Sequence, residues 1–538
     1  MGDPLVKLLI NLFVLISVAN IIGCSPNDLA EEPKAKDPDY SITYDLHVTG
    51  GTIVDGSGSA PFAGDILVSG DTIVYVGQVT SSKIKSHTTI NATDKVISPG
   101  FIDAHSHGDP LQKDNDLLRN FLRQGITTVV LGQDGTNPGY FPSGGPARDD
   151  GTFASWIKQV NIQGTGPNIA TLVGHGTIRR LSGGGEKDKV TPEEQTKMEQ
   201  LLIDGMKAGA YGLNTGLEYV PGRYADREEM VGLAKVVGSN DGLISSHIRN
   251  EDDDLVQESI AELLEQGKYA RVNASHIKIV YGKTRKQGDE VLKQIRDARA
   301  AGIQVTADVY PYLASFGDMS YLYPEWAKRA PEFKDAAINR REEFEEFLRA
   351  KIIRRNGAGA ILISSGEYSG MTLAEIVAVT GKRPEEQIID FGHNGPATAH
   401  FIMTKETQDA FITAPDVSIS TDGSPTMRHP RSFGSFPKVI EEYVVRDKVL
   451  SLELAINKMT GQTAKIFGIK SRGLLKQGLA ADILVMDIKN IKANTTWTNI
   501  FATPSGFDYV IVNGHLTETA AKSSKPTFGR ILLKHKGD

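Results

Sequence analysis

His105 and His107 close an apolar run, Val96-Ile-Ser-Pro-Gly-Phe-Ile-Asp-Ala-His-Ser-His107. On a strand, residues i and i+2 point to one side, so this pair aims two imidazoles into one small space, as a metal site requires. By itself the pair reads equally well as two polar side chains facing solvent, because zinc needs three or four ligands. Other apolar runs end in the missing donors: Gly132-Gln133-Asp134, Ser246-His247, Ser275-His276 and Thr421-Asp422, with His175 ending another. His105, His107, His247, His276, Asp134 and Asp422 would together supply one or two ions, and imidazole with carboxylate suits zinc.

Only a particular architecture brings these ends together. Short apolar runs recur at Ile97–Ala104, Ile126–Leu131, Ile169–Val173, Ala210–Leu213, Gly242–Ser245, Val272–Ala274, Ile303–Ala307 and Val417–Ser420. Between them lie helix-like segments such as Pro192–Ala208, Glu228–Val237, Leu255–Gln266 and Asp289–Ala300. Strands alternating with helices predict an α/β fold, a (β/α)8 barrel over 98–467, whose active site lies at the C-terminal ends of its strands. The interval before the last strand is longer than a connection needs. It reads as an insertion at about 315–400, with a charged helix over Asn339–Arg355. Residues 41–97 alternate in strand fashion between turn signals, and the same texture returns in 468–520, for example Tyr509-Val-Ile-Val-Asn-Gly. Both chain ends are therefore expected to build one small β-sandwich domain.

The remainder bounds the setting. The chain has 538 residues and a formal net charge of -7, which argues against a nucleic-acid partner. Its single cysteine, Cys24, excludes an internal disulfide. Leu8–Ile22 is an apolar run preceded by Lys7 and followed by Gly23-Cys24-Ser25. It resembles a bacterial lipoprotein signal over 1–24, with Cys24 taking the lipid, and at about 15 apolar residues it is short for a bilayer span. Polar 25–40 reads as a tether. The expectation is an exported protein of the bacterial periplasm or envelope, touching a membrane only through a lipid anchor.

The motifs carry a resemblance. Pro99-Gly-Phe-Ile-Asp-Ala-His-Ser-His107, Gly216-Leu-Glu-Tyr-Val-Pro-Gly222, His247-Ile-Arg-Asn-Glu251, Ser275-His-Ile-Lys278, Asp422-Gly and His429-Pro-Arg431 are similar to the D-aminoacylase (N-acyl-D-amino-acid deacylase) group of the amidohydrolase superfamily. The likeness spans residues 41 to 516 or so. It implies zinc-dependent hydrolysis of an N-acyl-D-amino acid to a carboxylate and a free D-amino acid. It also implies that His247 and His276 hold a tight metal, with His105, His107 and Asp422 around a weaker one. The group places a cysteine after strand two, where this chain has Gln133-Asp134; Asp134 is the natural substitute, being a harder ligand than thiolate.

Asp422 would take the proton of a metal-activated water and pass it to the leaving amine, since metal coordination brings the water pKa to about 7. As a plain ligand or helix cap, Asp422 would have no such role. Lys278 and Tyr219 are implied to bind the substrate α-carboxylate; Tyr310, Tyr312, Arg249, His429 and Arg431 are further candidates. Arg249 and Glu251 also read as a pair bracing the loop behind His247, and His47, His87, His515 and His535 as surface groups. Two rival readings are a cyclic-amide (hydantoinase or dihydropyrimidinase-like) or isopeptide hydrolase, and a lipid-anchored binding protein without catalysis. The first is disfavoured because Gly209-Ala-Tyr-Gly-Leu-Asn214 carries no lysine to bridge two metals.

Overall fold

Eight parallel strands form the centre of the fold: β1 (Phe101–Asp103), β2 (Ile126–Leu131), β3 (Asn168–Thr171, continued as Val173–Gly174), β4 (Gly212–Gly216), β5 (Leu243–His247), β6 (Arg271–Ala274), β7 (Val305–Val309) and β8 (Val417–Ile419). The computed structural model describes residues 38–139, 153–519, 522–523 and 527–534; the leader, Cys24 and His535 lie outside them. Each barrel strand pairs in parallel with the next, and a parallel bridge from Ser106 to Gly423 joins β8 to β1. These strands are buried on both faces, which is why they read as continuous apolar runs rather than alternating ones. The fold is a (β/α)8 barrel with a β-sandwich-type sheet.

Local sequence sets the helices between strands. Thr191 accepts from the Glu194 amide and Glu194 reaches back to Thr191, a capping box that starts the helix Pro192–Lys207. Asp226 caps Arg227–Ser239. The helix expected from Asp289 begins at Arg285, because Thr284 and Gln287 form a further capping box upstream. No described helix is long and apolar enough to cross a membrane.

The run that opens the barrel is not one strand. Val96–Pro99 pairs antiparallel with Ile483–Met486 in the sheet built from both chain ends, while Phe101–Asp103 pairs with β2. Gly100 is the joint: a Cβ there would lie 2.1 Å from Thr127 Oγ1, so the backbone passes too close for any side chain. The barrel thus starts at about Gly100, three residues beyond the end of the strand region expected to close at 97. The end sheet also includes Thr43–Ile53, Phe62–Ser69, Thr72–Gly77, Lys85–Asn91 and Phe507–Val512, over a core of Val48, Ile53, Ile66, Ile483 and Ile511. His47, expected at the surface, is buried there and bonds Asp65 at 2.7 Å.

Between β7 and β8 stands a second small core. Ala314–Gly317, Thr398–Phe401 and Ile361–Ile363 form an antiparallel sheet. Helices Ala330–Asn339, Arg341–Arg354, Leu373–Thr380 and Pro384–Phe391 surround Phe333, Phe344, Leu348 and Ile388. The helix expected over 339–355 is present as Arg341–Arg354, and a separate helix, Ala330–Asn339, precedes it across Arg340. The tail closes the other end of the barrel, with Gly529 bridged to Thr165, Ile531 to Ile169, and the Lys534 amide bonded to the Gly209 carbonyl.

Candidate metal centre and active site

The strand ends converge. His105 and His107 follow β1, Asp134 follows β2, His247 ends β5, His276 follows β6 and Asp422 follows β8. Asp103 ties two of these ends together: it accepts from the His105 amide (3.2 Å), the Thr421 amide (2.9 Å) and the Thr421 hydroxyl (2.5 Å). The Asp422 amide donates to the His105 carbonyl (2.9 Å) and the His107 amide to the Gly423 carbonyl (2.8 Å). Three of the six candidate ligands have left-handed backbones: Asp134 at φ 52°, His276 at 35° and Asp422 at 48°. Such conformations cost energy in non-glycine residues and persist where the surroundings over-determine them, as at functional sites.

The donor atoms face one another in two groups. Asp134 Oδ1 lies 3.4 Å from His276 Nε2 and 3.8 Å from His247 Nδ1, and these two nitrogens are 3.0 Å apart. On the other side, Asp134 Oδ2 is 3.4 Å from His107 Nε2, which is 3.3 Å from His105 Nε2 and 3.2 Å from Asp422 Oδ1. Ligand atoms at zinc bond lengths around a tetrahedral ion stand about 3.3 Å apart. The observed separations match that edge, and Asp134 faces both groups, its Oδ1 also lying 3.4 Å from His105 Nε2. The residues present therefore fit one or two such ions.

Electrostatics agree. Burial opposes charge on His107, but Asp134 and Asp422 outweigh it and push its pKa up to about 9. Burial and Lys278 oppose charge on His276, yet Asp422, Asp134 and Glu251 lift it to about 10. The carboxylates demand positive charge at these nitrogens, and a divalent cation meets that demand through the same lone pairs.

The outer partners orient the ligands; Glu218 escaped the sequence reading, and Glu251 was expected to pair with Arg249. Glu218 Oε2 lies 3.0 Å from His247 Nε2. Glu251 accepts from Lys278 Nζ at 2.6 Å and stands 3.4 Å from His276 Nδ1, placed to accept its N–H, with Lys278 Nζ 2.8 Å from the same nitrogen. Both glutamates sit in the quoted motifs, within four residues of a strand end, which was the available signal. Lys278 is thus not a free cation awaiting a carboxylate: a fully buried ammonium requires an internal partner, and Glu251 is that partner. Arg249 pairs instead with Glu262, at 2.7 and 2.8 Å, so the expected Arg249–Glu251 brace does not form.

Gln133 is excluded from the cluster, since its amide donates to the carbonyls of Ala104 and Val130. The same side chain accepts from Asn214, whose own carbonyl holds the Gly135 amide at 2.8 Å; β4 thereby clamps the Asp134 turn.

Asp422 Oδ2 accepts from Arg431 at 2.8 Å, and Arg431 stacks over the Tyr310 ring at 4.8 Å, leaving its buried Nε without a partner. Arg431 and His276 hold Asp422 far below the usual carboxylate range against the effect of burial. Tyr219 Oη is 3.1 Å from His247 Nδ1. Tyr219, Lys278, Tyr310 and Arg431 all line one cavity with His247 and Asp422. His175 does not join the cluster: it bonds Glu229 at 2.7 Å beside Arg179. Tyr312 bonds Thr495, and His429 bonds the Ala314 carbonyl under Trp497.

Similar proteins share this frame. No family model matches the chain. An N-acyl-D-glutamate deacylase of Alcaligenes xylosoxydans xylosoxydans is 31% identical over 506 residues, covering 91% of this chain and 96% of that protein. The crystal structure of N-acyl-D-glutamate deacylase from Bordetella bronchiseptica, complexed with zinc and a phosphonate mimic of the tetrahedral intermediate, superposes with a TM-score of 0.79 at 29% identity, over 92% of this chain and 100% of that one. A D-aminoacylase structure described as defining a novel subset of amidohydrolases gives 0.77 at 26% identity, over 91% and 100%. With the histidine and carboxylate rim in place and the likeness running over nine-tenths of its length, this chain belongs to the D-aminoacylase (N-acyl-D-amino-acid deacylase) family of amidohydrolases.

Proposed function

We propose that this protein hydrolyses N-acyl-D-amino acids to a carboxylate and a free D-amino acid, with zinc as cofactor. The observation that carries the reading is the rim itself, in which Asp422 stands between His107 and Arg431 while Asp134 faces both histidine groups. His247, His276 and Asp134 would hold one ion, and His105, His107, Asp134 and Asp422 would border a second. Bound zinc supplies a water of pKa about 7 and polarises the amide carbonyl.

The residues of the chain do the rest. Asp422 is kept ionised by Arg431, so its carboxylate is in the base form throughout the neutral range and accepts the water's proton. It then returns that proton to the amine nitrogen as the C–N bond breaks. Glu218 and the Lys278–Glu251 pair fix the rings of His247 and His276, so that their other nitrogens face the cluster. Tyr219 and the unpartnered Nε of Arg431 present donors to the substrate carbonyl and α-carboxylate, while Tyr310, whose hydroxyl donates to the Ala314 carbonyl at 3.4 Å, supports the Arg431 guanidinium with its ring. Lys278 reaches the α-carboxylate only as half of its pair with Glu251.

A cyclic-amide hydrolase finds no support in β4, where Asn214 is spent on clamping the Asp134 turn. The leader supports a place in the bacterial envelope, with Cys24 lipidated; Cys24→Ser should then move the protein from the membrane to the soluble fraction. The decisive assay is a panel of N-acetyl-D- and N-acetyl-L-amino acids with the zinc-loaded form lacking residues 1–24. D-selective cleavage is expected, and equal cleavage of both enantiomers, or of neither, rejects the reading.

A further inference from the structure

The cavity bordered by His247 and Asp422 of the candidate ligand set has a second wall, supplied by the insertion, and one cation on it has no acid among the described residues. Arg355 follows the helix Arg341–Arg354, is 5% exposed, and lines the cavity shared by His247, Tyr310 and Asp422. Its Nε donates to His400 Nδ1 at 3.3 Å and one terminal nitrogen donates to Tyr281 Oη at 3.4 Å. No carboxylate among the described residues lies within salt-bridge distance of it. The nearby acids are already engaged, Asp252 with Arg354 at 3.4 Å and Glu218 with His247 at 3.0 Å. A guanidinium carries five N–H donors in a planar fork, so three remain, enough to grip a carboxylate with two parallel bonds.

The guanidinium is also aimed. His400 is fully buried, and burial together with Arg355 and Lys351 holds its pKa well below the ordinary value, so the ring is neutral. With Nδ1 accepting from Arg355, Nε2 donates to Thr398 Oγ1 at 2.8 Å, and that hydroxyl donates to the Gly317 carbonyl at 3.3 Å. This chain runs across the insertion's own sheet and locks the plane of the fork. Rings connect the wall to the metal cluster: His400 to Tyr321 at 6.4 Å, Tyr321 to Tyr219 at 6.1 Å, and Tyr219 to His247 at 4.5 Å between centroids. A buried arginine without an anion is costly, and a pre-aimed one that borders a substrate cavity is a receptor waiting for a charge.

Position decides which charge. The α-carboxylate of an N-acyl-amino acid is one carbon from the scissile nitrogen, so it must lie beside Asp422, where Tyr310 and Arg431 stand. Arg355 bonds none of the six candidate ligands and belongs to a different element, the far wall. We infer that Arg355 receives a second carboxylate, on the side chain of the substrate, so that acidic N-acyl-D-amino acids are preferred over neutral ones. The inference rests on the deacylase reading above and adds the side-chain class to it.

The test compares N-acetyl-D-glutamate and N-acetyl-D-aspartate with their isosteric amides, N-acetyl-D-glutamine and N-acetyl-D-asparagine, and with N-acetyl-D-leucine. Zinc-loaded wild type, Arg355→Met and Arg355→Lys are assayed, with thermal melts to confirm that each variant is folded. Wild type should favour at least one acid over its amide by about 100-fold or more in kcat/KM, because a site built to bond a charged group rejects the analogue lacking it. Arg355→Met should lose most of that ratio while changing the amide and leucine substrates less than about threefold, with Arg355→Lys in between. A wild type indifferent to the acid, or a Met variant that loses all substrates equally, overturns the inference. Calorimetric binding of N-acetyl-D-glutamate and N-acetyl-D-glutamine to the metal-free protein separates the two proposals. If no substrate is cleaved but the acid still binds preferentially through Arg355, the deacylase reading fails and the receptor stands; equal binding of both removes the receptor.

Discussion

Two buried groups of histidine and carboxylate lie near the barrel's strand ends, and they handle the same electrostatic problem differently. Behind β3 and β4, Glu229 meets His175 and Arg179 at 2.7 and 3.0 Å, and the terminal guanidinium nitrogens of Arg179 donate to the backbone carbonyls of Gly185 and Lys187. The cation is built in, and Glu229 is held below the usual range by His175 and Arg179 against the effect of burial. On the rim, four histidines and two carboxylates have Arg431 on Asp422 and Lys278 behind His276, the latter already paired with Glu251, and ligand atoms face one another at 3.0–3.8 Å. The first group balances its charge without a ligand. The second reads as a receptor because its donors outnumber the protein's own protons and cations. Lys458 shows a third solution: among the described residues its hydrogen-bond partner is the Ala414 carbonyl alone, and burial pushes its pKa down to about 7.

The largest effect that would break this contrast is at Asp422. Asp422→Asn should lower kcat by about 1,000-fold or more in the zinc-loaded enzyme, since it removes the base while leaving size and fold; near-normal turnover would make Asp422 a bystander. Metal content sharpens the contrast next. His276→Ala should lose at least one bound zinc per chain by elemental analysis and lose the rise in Tm that zinc confers on wild type, whereas His175→Ala should keep both. If His175→Ala also loses metal, the two groups are not separate.

Removing the built-in cation should cost fold rather than chemistry. Arg179→Met leaves Glu229 buried with only His175, so urea unfolding should show a loss of about 3–5 kcal/mol with the zinc content of the folded fraction unchanged. The smallest effect belongs to Lys458. In the unfolded chain this lysine holds its proton to about pH 10, but in the folded protein only to about 7. Between those values the unfolded state binds the extra proton, so wild-type stability rises with pH relative to Lys458→Met, by at most about 1.4 kcal/mol per unit. Parallel stability curves for the two proteins across pH 7 to 10 would show that the lysine is charged in place.

How legible the site was depends on what each residue answers to. Period-two alternation and parallel strands mean that strand-end donors must share a face, so His105, His107, His247, His276 and Asp422 were readable from position alone. Asp134 against Gln133 was not: the choice is made by Asn214 and by the carbonyls of Ala104 and Val130, which claim the glutamine from distant segments. Lys278 was readable as pointing inward but not as paired, because Glu251 lies 27 residues away and reaches it only through the adjacent strand. Arg355 lay in a stretch legible merely as a charged helix, with nothing local to distinguish its inward arginine from the exposed Arg354 beside it.

By itself, then, the amino-acid order determined the alternation of strands and helices, the shared face of the strand-end donors and the capping that starts several helices, since these follow from local periodicity and side-chain chemistry. The tertiary structure decided which donors face which. It split Val96–Asp103 at Gly100 because two sheets compete for that run. It gave Lys278 to Glu251 and left Arg355 without a carboxylate, because only the folded chain specifies which partners lie within reach of a buried charge.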